Sequence, residues 1–180
     1  MEKIEQWLRL TLSLYSNTEH LLKLKETDMN PANNNNFAIR NASEYGHLEI
    51  VNLLLKDKRV DPSDCENYAI KYASLNGHWG IVKLLLQDKR VDPSANYNYA
   101  IGLASKNGHI EIVKLLSQDD RVDPSDNDNC AIILASRYGH LKVVNFLLED
   151  LRVYLSIDEY EIECAKQDDY QKIADLFVKE

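Results

Sequence analysis

The sequence predicts an all-α solenoid, a stack of helix-turn-helix units with short connecting loops, and three regularities predict it. All four prolines, Pro31, Pro62, Pro93 and Pro124, stand 31 residues apart. Four glycine-histidine pairs keep the same step, at Gly46-His47, Gly77-His78, Gly108-His109 and Gly139-His140. So do Arg59, Arg90, Arg121 and Arg152. A fixed period of this length marks an array in which each unit buries its apolar face against the next.

Within the unit, Ala69, Ile70 and Ala73 fall at helical spacing over Tyr68 to Leu75, with Asn67 placed to cap the first free amides. Gly77 then suits a left-handed residue just past the helix end. A second helix follows, whose Trp79, Ile81, Val82, Leu84, Leu85 and Leu86 predict a broad apolar face. The residue before proline is pushed towards extended geometry, so Asp61-Pro62, Asp92-Pro93 and Asp123-Pro124 open the loop to the next unit. Helices this short are marginal alone and need neighbours. Small residues at Ala42, Ala73, Ala104 and Ala135 let the first-helix row approach closely, which predicts a concave face on that side. The expected organisation is one repeat domain over 1–180: a cap over 1–30, full repeats at 31–61, 62–92, 93–123 and 124–154, and a second cap over 155–180. In those ends Tyr15-Ser16 and Asp169-Tyr170 replace Gly-His.

Composition narrows the function classes. The 180 residues carry a formal net charge of −8, with 44% hydrophobic and 28% charged residues, which is globular rather than disordered composition. No apolar run reaches the roughly 18 residues that a membrane span needs, and Glu2 and Glu5 stand where a secretory leader carries bases. The expectation is a cytoplasmic or nuclear protein, not a secreted one, with no membrane association. Cys65, Cys130 and Cys164 are too scattered for a disulfide framework or a metal motif. The acidic balance speaks against nucleic acid as the partner.

The pattern Asn-Tyr-Ala-Ile-x-x-Ala-Ser-x-x-Gly-His-x-x-Ile-Val-Lys-Leu-Leu-Leu, from Asn67 to Leu86, resembles the ankyrin repeat, and the likeness runs strongly over residues 31 to 153. Its 31-residue Asp-Pro-Ser variety is similar to arrays in giant DNA viruses of amoebae and in their hosts. The resemblance implies a non-enzymatic scaffold that binds another protein through the concave helix face and the loop tips. Two departures bear on this. The family's Thr-Pro is replaced by pairs such as Tyr68-Ala69, and the period is about two residues shorter than the common one, so the hairpin fingers are expected to be stubby.

Residues that vary between units are candidates for contact with a partner. The pair before each Gly-His reads Glu44-Tyr45, Leu75-Asn76, Lys106-Asn107 and Arg137-Tyr138, with Tyr45, Leu75 and Tyr138 as expected exposed anchors. The tips vary too and supply Asp64, Glu66, Asn96, Tyr97, Asp126 and Asp128; their four acids and absence of bases point to a partner with a basic surface. The histidines and arginines, by contrast, repeat as framework: each imidazole is expected to tie down the turn of its own unit, and each arginine to face a helix C-terminus with an aspartate two residues on. Asp123 to Asn129 has acids like a calcium loop but lacks the glycine and final glutamate in register. No nucleophile triad, phosphate loop or zinc motif is present, so no cofactor, metal or catalytic residue is expected. The chain is expected to act as a monomer. Two other classes stay open: a helical-repeat nucleic-acid binder, and an enzyme with a site between units.

Overall fold

The computed structural model describes residues 30–156. The two expected caps, save for their inner edges, and Cys164 lie outside the described residues. The first helices of successive repeats are α1 (Asn33–Glu44), α3 (Asp64–Leu75), α5 (Ala95–Lys106) and α7 (Asp126–Arg137). The second are α2 (Leu48–Leu54), α4 (Trp79–Leu86), α6 (Ile110–Ser117) and α8 (Leu141–Leu147), and α9 (Leu151–Ser156) ends the described chain. Where the other units carry Asp-Pro, the last has Tyr154-Leu155, and without proline that segment stays helical.

The helix-one row packs in series through fully or nearly fully buried Ala42, Ala73, Ala104 and Ala135, while the helix-two row meets more sparsely. That asymmetry makes the helix-one side the inner side of the array. Helix two buries a narrower face than its composition predicts. In α4 only Ile81, Val82 and Leu85 are buried, and Trp79 stays 44% exposed beneath the Lys83 ammonium, 4.9 Å from the ring centroid.

Each first helix ends on a glycine with positive φ, at +79° for Gly77, and the next amide reaches back, as His78 N–H donates to the Ala73 carbonyl at 2.9 Å. This is the six-to-one closure of a Schellman end. The histidine side chain does something the sequence did not disclose. His78 Nε2 lies 3.0 Å from the Glu44 carbonyl, His109 Nε2 3.0 Å from that of Leu75, and His140 Nε2 2.9 Å from that of Lys106. A carbonyl only accepts, so Nε2 carries the proton. Each of these imidazoles therefore ties its unit to the preceding one rather than closing its own turn. The glycine makes room for it: a Cβ on Gly77 would stand 2.8 Å from His109 Cε1, and one on Gly108 2.5 Å from His140 Nδ1.

The loops also differ from expectation. Among the described residues no strand forms, so there is no hairpin finger; instead three successive residues adopt left-handed geometry at the head of each first helix, as at Cys65, Glu66 and Asn67. Right-handed helix begins at Tyr68. Asn67, at φ 60°, does not cap its own helix but accepts the Asp92 amide at 2.7 Å, as Asn36 accepts that of Asp61 and Asn98 that of Asp123. Asn36 and Asn98 also donate to the carboxylates of Asp64 and Asp126. Left-handed backbone costs on the order of 1 kcal/mol per residue, and asparagine tolerates it best of the residues with side chains. The Asp-Pro-Ser motif is the other half of this junction. The aspartate gives its amide to its own repeat's asparagine and takes the following serine's N–H and O–H on its carboxylate, at 2.9 and 2.6 Å in Ser94 to Asp92.

Two outcomes follow for urea unfolding of the whole chain. Gly77→Ala is expected to destabilise by about 2 to 4 kcal/mol, combining left-handed strain with displacement of His109, and in a His109→Ala background only about 1 kcal/mol of that remains. Equal costs in both backgrounds contradict the steric assignment. Asn98→Ala, which strands the Asp123 amide, is expected to cost about 2 to 3 kcal/mol, and a cost near zero contradicts the bridging role.

Candidate partner-binding face

Framework contacts claim several of the polar residues first. Arg90 grips Asp88, two residues before it rather than two after, with Nε to Oδ1 at 2.9 Å and Nη2 to Oδ2 at 2.6 Å, and its Nη1 donates to the Val60 carbonyl of the preceding unit. Arg121 and Arg152 repeat this with Asp119 and Asp150 and reach Val91 and Val122. The arginine's hydrogen bonds hold Asp88, Asp119 and Asp150 below the usual carboxylate range. This ladder is committed to the stack and offers no shared anion site.

At the tips, Asp64 and Asp126 are likewise engaged by Asn36 and Asn98, and the Asn36 hydrogen bond pulls the Asp64 carboxyl down. Asn96 donates to Glu66 at 2.8 Å. Tyr97, 74% exposed, and Asp128 project into solvent. At the helix-one ends, Asn76 and Asn107 donate to the carbonyls of Glu44 and Leu75, alongside the histidines, so both belong to the junction. Leu75 is half-buried, while Tyr45 and Tyr138 are exposed, with Lys106 Nζ 5.3 Å from the Tyr138 ring centroid. Arg137 is exposed beside it.

The candidates drawn from variable pairs missed most of the inner face. Helix one buries Asn67, Ala69, Ile70, Lys71, Ala73 and Ser74, while Tyr68, Tyr72 and Leu75, at helical spacing along the other side, stay half-buried. There Tyr68 and Tyr72 stack with centroids 3.9 Å apart, and the Arg40 guanidinium lies 5.2 Å from the Tyr68 ring while donating to the carbonyls of Asn34 and Asn35. Tyr68 donates its hydroxyl to Glu44 at 2.8 Å; burial and that carboxylate raise its pKa. Stepping back along the helix from Leu75 by three residues to Tyr72, and from Tyr72 by four to Tyr68, was the signal that finds this surface.

On the helix-two side a shallow open groove is lined by Leu48, Gly80 and Lys83. Among the described residues no three histidine, cysteine or acidic side chains converge to hold a metal, and no helix is long and apolar enough to cross a membrane.

The model of the family described as ankyrin repeats (3 copies) matches residues 12–97 and 70–158. The chain belongs to the ankyrin-repeat family. No curated protein matches it. Ankyrin repeats are generally protein-protein interaction modules, and the family is typically a non-enzymatic scaffold. In this ankyrin array the repeated letters hold units together, and the letters that change lie along the inner face and its rim.

Acid should loosen the array in two stages. Burial, and secondarily His78, keep the His47 imidazole below its usual value, so between that lowered value and about pH 6.5 the unfolded chain binds a proton that the folded chain refuses. Stability therefore falls as pH drops below about 6.5. The depressed carboxyls of Asp88, Asp119 and Asp150 add stability that is complete above their unfolded values and lost as pH falls through the folded ones. Melting temperatures at pH 7, 5.5 and 3 should fall in that order, and His47→Gln should flatten the first step. A first step that is unchanged in that variant contradicts the assignment.

Proposed function

We propose that this chain binds a partner protein through the inner helix-one face, with Tyr45, Tyr138 and the exposed tips as its rim, and that it catalyses no reaction. The observation that carries the reading is the division of labour within each repeat. Asparagine, histidine and arginine at fixed places bond to the neighbouring unit, while Tyr45 and Tyr97 at variable places stand exposed and Tyr138 meets the preceding unit only through the Lys106 ammonium. A surface fixed in this way is ordered before the partner arrives, which lowers the cost of association. The same reading takes the array as a monomer of the cytoplasm or nucleus, closed by caps over 1–30 and 155–180.

The expectation of a basic partner stood on four tip acids. With Asp64 and Asp126 drawn into the junction, Glu66 and Asp128 are left to support it, and the partner's chemistry passes to the inner face. The test is affinity capture on the full chain, followed by binding measurements with the partner so identified. Tyr45→Ala and Tyr138→Ala should each weaken that complex about five- to tenfold with the melting temperature unchanged. A partner that binds both variants with full affinity contradicts the reading.

A further inference from the structure

We propose that the inner face receives an acidic polypeptide segment, with carboxylates facing Lys71 and Lys106. The inference rests on the reading above and adds the chemistry of the partner. The face consists of positions 37, 40, 41 and 44 of the first full repeat and their equivalents in the next three. In these four repeats those positions hold four bases, Arg40, Lys71, Lys106 and Arg137, against a single acid, Glu44, in a chain whose net charge is −8. Charge is thus segregated, and Glu44 is already engaged by the Tyr68 hydroxyl.

Lys71 is the focus of this field. Its residue is 7% exposed, and among the described residues its one ion partner, Glu66, lies at 3.9 Å, beyond hydrogen-bonding reach, with a side chain 75% exposed. An ammonium drawn from water with such partial compensation is costly, and its field is poorly screened. Burial accordingly holds it below the usual lysine value, despite Glu66. A partner carboxylate supplies the missing compensation.

Gly102 occupies the Lys71 position one repeat on, within α5, and is buried; a Cβ there would meet Cys130 Sγ and Leu134 Cδ1 at 3.8 Å. The field between the ends of the face is therefore set by Lys71 and Lys106. A nucleic-acid strand fits less well: the Tyr68 and Tyr72 rings cover each other and Arg40 covers Tyr68, which leaves few ring faces for a base.

The test is selection from a random peptide library on the purified full chain, then anisotropy titration of the enriched peptides. Acidic peptides should be enriched, and their binding should weaken with added salt. Lys71→Met should weaken them about tenfold. If Lys71→Met does not fold, Lys106→Met at the more exposed helix end should weaken binding at least about threefold. Enrichment of basic or uncharged peptides that still lose affinity in Tyr138→Ala overturns the acidic-segment inference and leaves the proposed function standing. Peptides whose binding ignores every inner-face and rim variant overturn both. No enrichment, or single-stranded RNA that displaces the acidic peptides at equal concentration, overturns the inference.

Discussion

Each repeat is closed by one asparagine. The amide of the aspartate that ends it donates to the side chain of a buried asparagine at the head of the same repeat's first helix, at 2.7 to 3.0 Å, and the side-chain amides of Asn36 and Asn98 go on to the carboxylates of Asp64 and Asp126 in the next repeat. A half-buried amide left without an acceptor costs about 1 kcal/mol or more, so the asparagine fixes both the closure of its own repeat and the approach of the next. It reaches the aspartate only because the residues before it run left-handed, and that backbone is in turn held by the same bond. The imidazole and the guanidinium repeat the logic at two other corners, each donating to a carbonyl of the preceding unit. Apolar packing supplies most of the gain from stacking, and these polar crossings fix its register.

The array itself was legible in the sequence, because prolines, glycines and arginines 31 residues apart have no other simple cause. The helix pair, the left-handed glycine and the alanine row were legible as well, since each follows from backbone or packing preferences acting within a few residues. What sequence reasoning missed lies between units. Asn67 has the residue type and place of a helix cap, yet a third left-handed residue in a row aims its amide elsewhere. Histidine partners 34 residues away carry no local signal. For the arginines, aspartates stand two residues to either side, and only geometry selects the earlier one. The shorter period was read as a stubby hairpin, whereas three left-handed residues replace the hairpin altogether.

The proposed face was half legible. Variation between repeats pointed to the helix-one ends, where Tyr45, Arg137 and Tyr138 are exposed and Lys106 half-buried. It also gathered Asn76, Asn107, Asp64 and Asp126, whose side chains are occupied by the junction, because variation marks any position where two solutions suffice. Arg40 and Lys71 escaped notice for the opposite reason: on one helix a base facing inward looks like ordinary surface, and the concentration of bases emerges only when four helices are laid side by side. The tips were weighed as the charged feature, but burial and pairing, not the count of acids, decide which charges a partner meets.

The most direct measurement of the central claim is native-state hydrogen exchange, followed amide by amide. Because the Asp92 and Asp123 amides donate to buried asparagines at the heads of their own repeats, they should exchange only through global unfolding, with the same protection free energy as the core amide of Val82. Exchange of those two aspartate amides at rates typical of open loops, while Val82 stays protected, would show that the repeats close without these bonds and contradict the account.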